Sequence, residues 1–224
     1  MTETVNDNST RQELRERIII ASLDAFRKNG IKSITMDDIA ALLKISKRTL
    51  YETFEDKETL LRESIIYNQQ RMQKELAEFV ARTPNVLEVV LTCFKESISV
   101  FHHVNIRFFE DLKKYPKVKE MLECRRKEDS EMAVNFLKRG VKQGLFRKDT
   151  NFEIVNILLK EQLALMMAND LLKKFSFIEV YESIVLTYLR GISTVEGVRE
   201  LDEFVNNYKL ERNELIKEKD NDII

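Results

Sequence analysis

The chain has 224 residues, enough for one large domain or a small one joined to a larger one, and enough to bury a core without disulfides or metals. Hydrophobic residues make up 43% and charged residues 33%, but 5 Gly, 2 Pro and no Trp leave too few turn formers for an all-β fold or a many-stranded α/β enzyme. Lys and Arg number 37 against 38 Asp and Glu, a formal net charge of −1, so a nucleic-acid partner would have to meet a local basic patch rather than a global positive field.

The two cysteines, Cys93 and Cys124, are far apart, with no CxxC spacing and no histidine cluster. They predict reduced thiols, no disulfide, no metal site and no cofactor. The first ten residues are polar and acidic, the opposite of a secretory leader, and apolar runs such as Leu163 to Ala168 are far too short to cross a bilayer. The expected location is the cytoplasm.

The elements follow in chain order. Residues 1–10 read as a disordered arm. Arg11 to Asn29 places Leu14, Ile18, Ile19, Leu23 and Phe26 at helical spacing, with Gly30 where a C-terminal cap belongs. Thr35 with Asp38 three residues on forms a capping box for a short helix from Met36 to about Leu43. Ser46 caps a third helix, Lys47 to about Thr53, and Asp56 caps a fourth that runs to about Val80. Thr83-Pro84 predicts the next start, with Val86, Leu87, Val90, Leu91, Phe94 and Ile98 as a broad apolar face. Helical patterns then cover Ile106 to Lys114, Val118 to the Gly140–Gly144 region, Phe152 to about Lys174 and Phe177 to about Thr194. The charged stretch from Glu200 predicts at most one marginal helix and a disordered end. The expected domain plan is 11–56 for a first helical domain, 57–80 for a connecting helix, 81–198 for a larger helical domain and 199–224 for a tail. The fold class is all-α.

The stretch from Ile39 to Tyr51 carries a mechanism. Two short helices meet at a tight turn, with small Ala40 at the crossing and Ile45 and Leu50 wedged between them, the arrangement of a helix-turn-helix. Its second helix offers Lys47, Arg48 and Thr49 at its N-terminal side, where side chains reach base edges and free amides favour phosphate. Lys44, Lys47 and Arg48 fall within five residues that hold no acid, which predicts a local positive patch.

Phe26, Gly30, Ile34 to Ala40, Ser46 to Tyr51, Phe54 and Asp56 to Leu61, in that order and spacing, closely resemble the N-terminal domain of the TetR family of bacterial transcriptional repressors, over roughly residues 11 to 65. The resemblance implies that Thr35, Tyr51 and Lys57 touch the DNA backbone and that Lys47, Arg48 and Thr49 face the major groove. Lys44 and Ser46 complete the candidate DNA-binding set. Lys44 stands where the family usually has glycine, so a positive φ there would cost about 1 kcal/mol.

Beyond residue 65 the resemblance is one of outline. It implies a helical regulatory and dimerisation domain, a homodimer on a palindromic double-stranded operator, and release by a small-molecule effector, which the apolar lining expected among these helices predicts to be largely hydrophobic. Candidate effector contacts are Phe101, His102, Phe108, Phe136, Met166 and Asn169. Two other classes fit the composition: a helical protein-interaction or small-molecule-binding module without DNA, for which the basic cluster is a solvated face, and an all-α enzyme. No nucleophile–base order, glycine-rich phosphate loop or paired-carboxylate motif supports catalysis, so no catalytic residue is assigned.

Overall fold

In the computed structural model, which describes residues 2–168 and 171–221, the described residues form eleven helices, and the β structure among them is an isolated bridge between Phe146 and Ser193. The helices are α1 (Thr2–Asn29), α2 (Met36–Leu43), α3 (Lys47–Thr53), α4 (Lys57–Arg82), α5 (Val86–His102), α6 (Ile106–Leu112), α7 (Pro116–Lys142), α8 (Phe152–Ala168), α9 (Leu171–Lys174), α10 (Phe177–Ile192) and α11 (Val195–Asn221). They divide into two compact units, Met1–Phe79 with Ser99–Arg126, and Val80–Ile98 with Lys127–Ile224.

The first unit is organised around α1. Ile18, Leu23 and Phe26 from α1 bury against Ile39 and Ala40 of α2, Leu50 of α3, Phe54 beyond it, and Leu60 and Leu61 of α4. Fully burying each large apolar side chain contributes roughly 1.5–3 kcal/mol, and α2 and α3, at 8 and 7 residues, are too short to form without this core. Arg15 ties three of them together: its guanidinium donates to the Thr53 carbonyl and to Glu63 and lies 4.5 Å from the centre of the Phe54 ring.

Helix α6 belongs to this unit, which corrects the expected domain plan. Phe108 and Val118 enter the same core; the Asn105 amide donates to the Arg27 carbonyl at 2.7 Å, and the Asp111 carboxylate accepts the Lys32 amide at 2.8 Å. Gly30, at φ +86°, permits the approach: a Cβ there would lie 2.9 Å from the Arg107 Cβ. The expected plan, in which residues 57–80 only connect and 81–198 form one domain, therefore gives way to one in which 99–126 return to the first unit. A pairing across 79 residues of chain leaves no local periodic mark.

The second unit packs Val86, Leu87 and Phe94 of α5 with Val134 of α7, Leu186 and Leu189 of α10 and Leu201, Val205 and Tyr208 of α11. Phe94 stacks on Tyr181 at 5.7 Å and meets Tyr208 edge-on at 5.8 Å. The loop after α7 crosses the end of α10, with Arg147 donating to the Ile192 carbonyl at 2.8 Å and Thr194 donating back to Leu145 at 3.0 Å.

Several expected boundaries are corrected. Residues 2–10 are helical rather than an arm, since each residue added to an existing helix gains a hydrogen bond without a new nucleus. The start of α5 is capped by Asn85, not Thr83: Asn85 Oδ1 accepts from the amides of Leu87 and Glu88, while Gln143 binds both the Pro84 carbonyl and the Val86 amide. Pro116 opens α7, where its missing N–H is not needed. Of the helix expected over Phe152 to Lys174, the described residues Phe152–Ala168 (α8) and Leu171–Lys174 (α9) are helical. Of the tail expected at 199–224, residues 199–221 belong to α11, whose Leu201, Val205 and Tyr208 are core residues despite the surrounding charge, and 222–224 lie outside the described residues.

Candidate nucleic-acid interface

Helix α2 begins with the capping box read from the sequence. The Thr35 hydroxyl accepts the Asp38 amide, and the Asp38 carboxylate accepts from the Thr35 amide and hydroxyl, which holds its pKa below the usual aspartate range. At the other end Lys44 adopts φ 55°, ψ 40°, and its amide reaches the carbonyls of Ala40 and Ala41. The turn keeps the left-handed geometry with a lysine where glycine is commonest. Ser46 then caps α3, accepting the Thr49 amide at 3.0 Å and sharing a 2.8 Å hydrogen bond with the Thr49 hydroxyl. Asp56 caps α4 through the Thr59 amide at 2.7 Å, and this bond lowers its pKa.

The N-terminal ends of α2, α3 and α4, each a positive dipole end, all belong to the first unit. Lys44, Ser46, Lys47, Arg48 and Tyr51 are exposed, and Thr49 is partly so. Tyr51 is 50% exposed although aromatic, so it is not the core residue its ring alone would suggest. Lys57 is half-buried; its ammonium lies 5.8 Å from the centre of the Phe26 ring, and burial pushes its pKa down against the pull of Asp111 and Asp38. Thr35 and Ser46 serve as caps in the first place, and their hydroxyls are already engaged.

One feature is only half visible in the local sequence. The acid-free run from Lys44 to Arg48 is met in space by acids from outside it: Lys47 Nζ lies 2.6 Å from Asp37 Oδ2, and Arg48 Nε lies 2.7 Å from Glu52 Oε1. Each cation's pKa is raised by its carboxylate. The Arg48–Glu52 spacing of four was available as a signal; the Lys47–Asp37 pair depends on the interhelical angle.

Residues 18–64 match the profile described as bacterial regulatory proteins, tetR family. Over these residues the chain is similar to the DNA-binding domain of the TetR family. The HTH-type transcriptional repressor KstR2 of Mycobacterium tuberculosis is 28% identical over 160 residues, spanning 69% of this chain and 78% of that one. The HTH-type transcriptional regulator UidR of Escherichia coli is 25% identical over 187 residues, 80% of this chain and 95% of the relative. A TetR-family regulator from Agrobacterium tumefaciens shares the fold at a TM-score of 0.65 and 15% identity, over 82% of this chain and all of the other. These similarities support a DNA-binding transcriptional regulator, and the helix-turn-helix above is the part the family profile covers.

The candidate effector contacts divide between the units. In the first, Phe101 lies 5.5 Å from Phe109, and Phe108 is buried in the core. In the second, Phe136 sits under the Arg139 guanidinium at 5.2 Å, and Met166 is buried. The His102 side chain and Asn169 lie outside the described residues. The second unit also has an open cleft of about 550 Å³ lined by Leu165, Leu171, Phe175, Val180, Ile184 and Tyr188. Among the described residues no three His, Cys, Asp or Glu side chains gather as metal ligands would, and no helix is long and apolar enough to cross a membrane.

Proposed function

We propose that this chain is a TetR-family repressor that holds a palindromic operator as a homodimer and lets it go when a small, largely hydrophobic molecule binds. The observation that carries the DNA-reading assignment is the exposure of Lys47, Arg48 and Tyr51 on a capped recognition helix. In this reading Lys47, Arg48 and Thr49 meet base edges, while Thr35, Tyr51 and Lys57 meet phosphates, with Lys44 and Ser46 at the edge of the contact. The protein acts in the cytoplasm, where its DNA is.

Support for the homodimer comes from α8, where Ile154, Ile157 and Leu158 are exposed together on one face and Leu165, two turns on, lines the cleft beside α10. Release requires that the effector bind the DNA-free arrangement better; tenfold weaker operator binding needs about 1.4 kcal/mol of that preference. Helix α4 contains neither Pro nor Gly, so a displacement at its far end is carried along it toward Lys57 rather than absorbed at a kink.

Selection of duplexes from a random library, followed by titration, tests the DNA reading. Arg48→Ala should cost about 1–3 kcal/mol on the selected duplex and blur preference at one position. Lys57→Ala should weaken all duplexes alike and lower the salt slope by about one. Equal losses for Arg48→Ala on selected and random DNA would remove its base-reading role, and failure to enrich any sequence would remove operator recognition altogether.

A further inference from the structure

The two cations that α3 offers to base edges are both neutralised within their own unit. Lys47 is held by Asp37 from α2, and Arg48 by Glu52 one turn along α3. All four side chains are more than half exposed, so no core depends on these pairs. From Met36 to Thr53 the three acids Asp37, Asp38 and Glu52 balance the three bases Lys44, Lys47 and Arg48, which leaves a DNA-reading element with no net charge. For a surface that must approach a polyanion this is an electrostatic cost, and it falls on the two side chains best placed to touch the bases.

Resting on the DNA-binding assignment above, we propose that Asp37 and Glu52 are specificity-determining residues, which keep Lys47 and Arg48 from binding DNA indiscriminately. Backbone binding draws its affinity from counterions released as cations meet phosphates, and that gain is the same on every sequence. A lysine already paired with Asp37 releases little when a phosphate replaces the carboxylate. A matched base edge offers more: guanine O6 and N7 accept two hydrogen bonds from one arginine, where Glu52 accepts from Nε. The carboxylates therefore subtract most from the contacts that carry no sequence information. They are positioning residues that act through Lys47 and Arg48.

The test uses the full chain, a fluorescent random-sequence duplex and a duplex selected by the unmodified protein, titrated from about 50 to about 200 mM salt. Asp37→Asn and Glu52→Gln should each raise affinity for the random duplex about threefold, the amount expected when an exposed pair no longer competes. Each should also steepen the salt slope by about 0.9, while the selected duplex gains less, so that discrimination falls. In a Lys47→Ala background Asp37→Asn should change nothing. Asp24→Asn removes the same charge and frees Lys28 from an exposed pair on α1, and it too should leave the slope unchanged. If Asp37→Asn and Glu52→Gln leave slope and discrimination where they were, or Asp24→Asn reproduces their effect, the proposal is overturned while the DNA reading survives in the unmodified protein's preference for the selected duplex. An unmodified protein that prefers no duplex overturns both.

Discussion

Asp111 shows how much a single side chain can hold. It is 7% exposed, accepts the Lys32 amide just past the end of α1, and is 3.1 Å from Lys114 Nζ. The amide bond first, and Lys114 after it, hold its pKa below the ordinary aspartate value of 3.8. A carboxyl depressed on folding stabilises the native state fully above its unfolded pKa, and that stability is lost as pH falls through the lower, folded value. Asp38 and Asp56 are shifted the same way by their caps. Stability should therefore decline below about pH 4. Asp111→Asn, which keeps the shape but not the charge, should cost about 2 kcal/mol at pH 7 and flatten that acid decline in urea titrations. An unchanged pH profile would show that the charge itself does not matter.

At the scale of elements, caps and close approaches set the geometry. Lys44 in a left-handed conformation costs on the order of 1 kcal/mol, yet the turn between α2 and α3 closes because Ala40 and Ala41 accept its amide and Ser46 immediately caps the next helix. In the second unit Gly197 has the stricter role. A Cβ there would lie 2.2 Å from the Leu145 carbonyl oxygen, a backbone atom that the Thr194 amide and hydroxyl also bind. Gly197→Ala gains helix propensity but must push the first turn of α11 off the loop. Overpacking of this kind should destabilise by about 1–3 kcal/mol in equilibrium unfolding, with the crossing of α10 and the post-α7 loop loosened. A neutral result would mean that the loop yields freely.

For the whole molecule the decisive question is assembly. Ile154, Ile157 and Leu158 are each at least half exposed on one face of α8, in line with Leu165. Large apolar side chains exposed together on one helix face are the kind that mark an interface. Light scattering at micromolar concentration should read about twice the 26.5 kDa chain mass, and Ile157→Asp should return it to one chain and abolish tight binding to a palindrome. A monomer that still binds a palindromic site tightly would refute the homodimer.

Local chemistry was enough to read the helix-turn-helix from sequence: the Thr35–Asp38 box, the Ser46 and Asp56 caps, the Gly30 stop and the spacing of Ile39, Leu50 and Phe54 each act within a few residues, and each recurs in the structure. The all-helical class followed for the same reason, since few glycines and prolines interrupt the apolar periodicity. Tertiary structure alone decided where α6 docks, because Asp111 finds the Lys32 amide 79 residues away, and it decided that Asn85 rather than Thr83 begins α5, because Gln143 holds the neighbouring groups from 57 residues on. It also decided the charge of the reading face. A run with no acid in sequence became a paired one when the crossing of α2 and α3 brought Asp37 to Lys47, since charges interact through space and not along the chain.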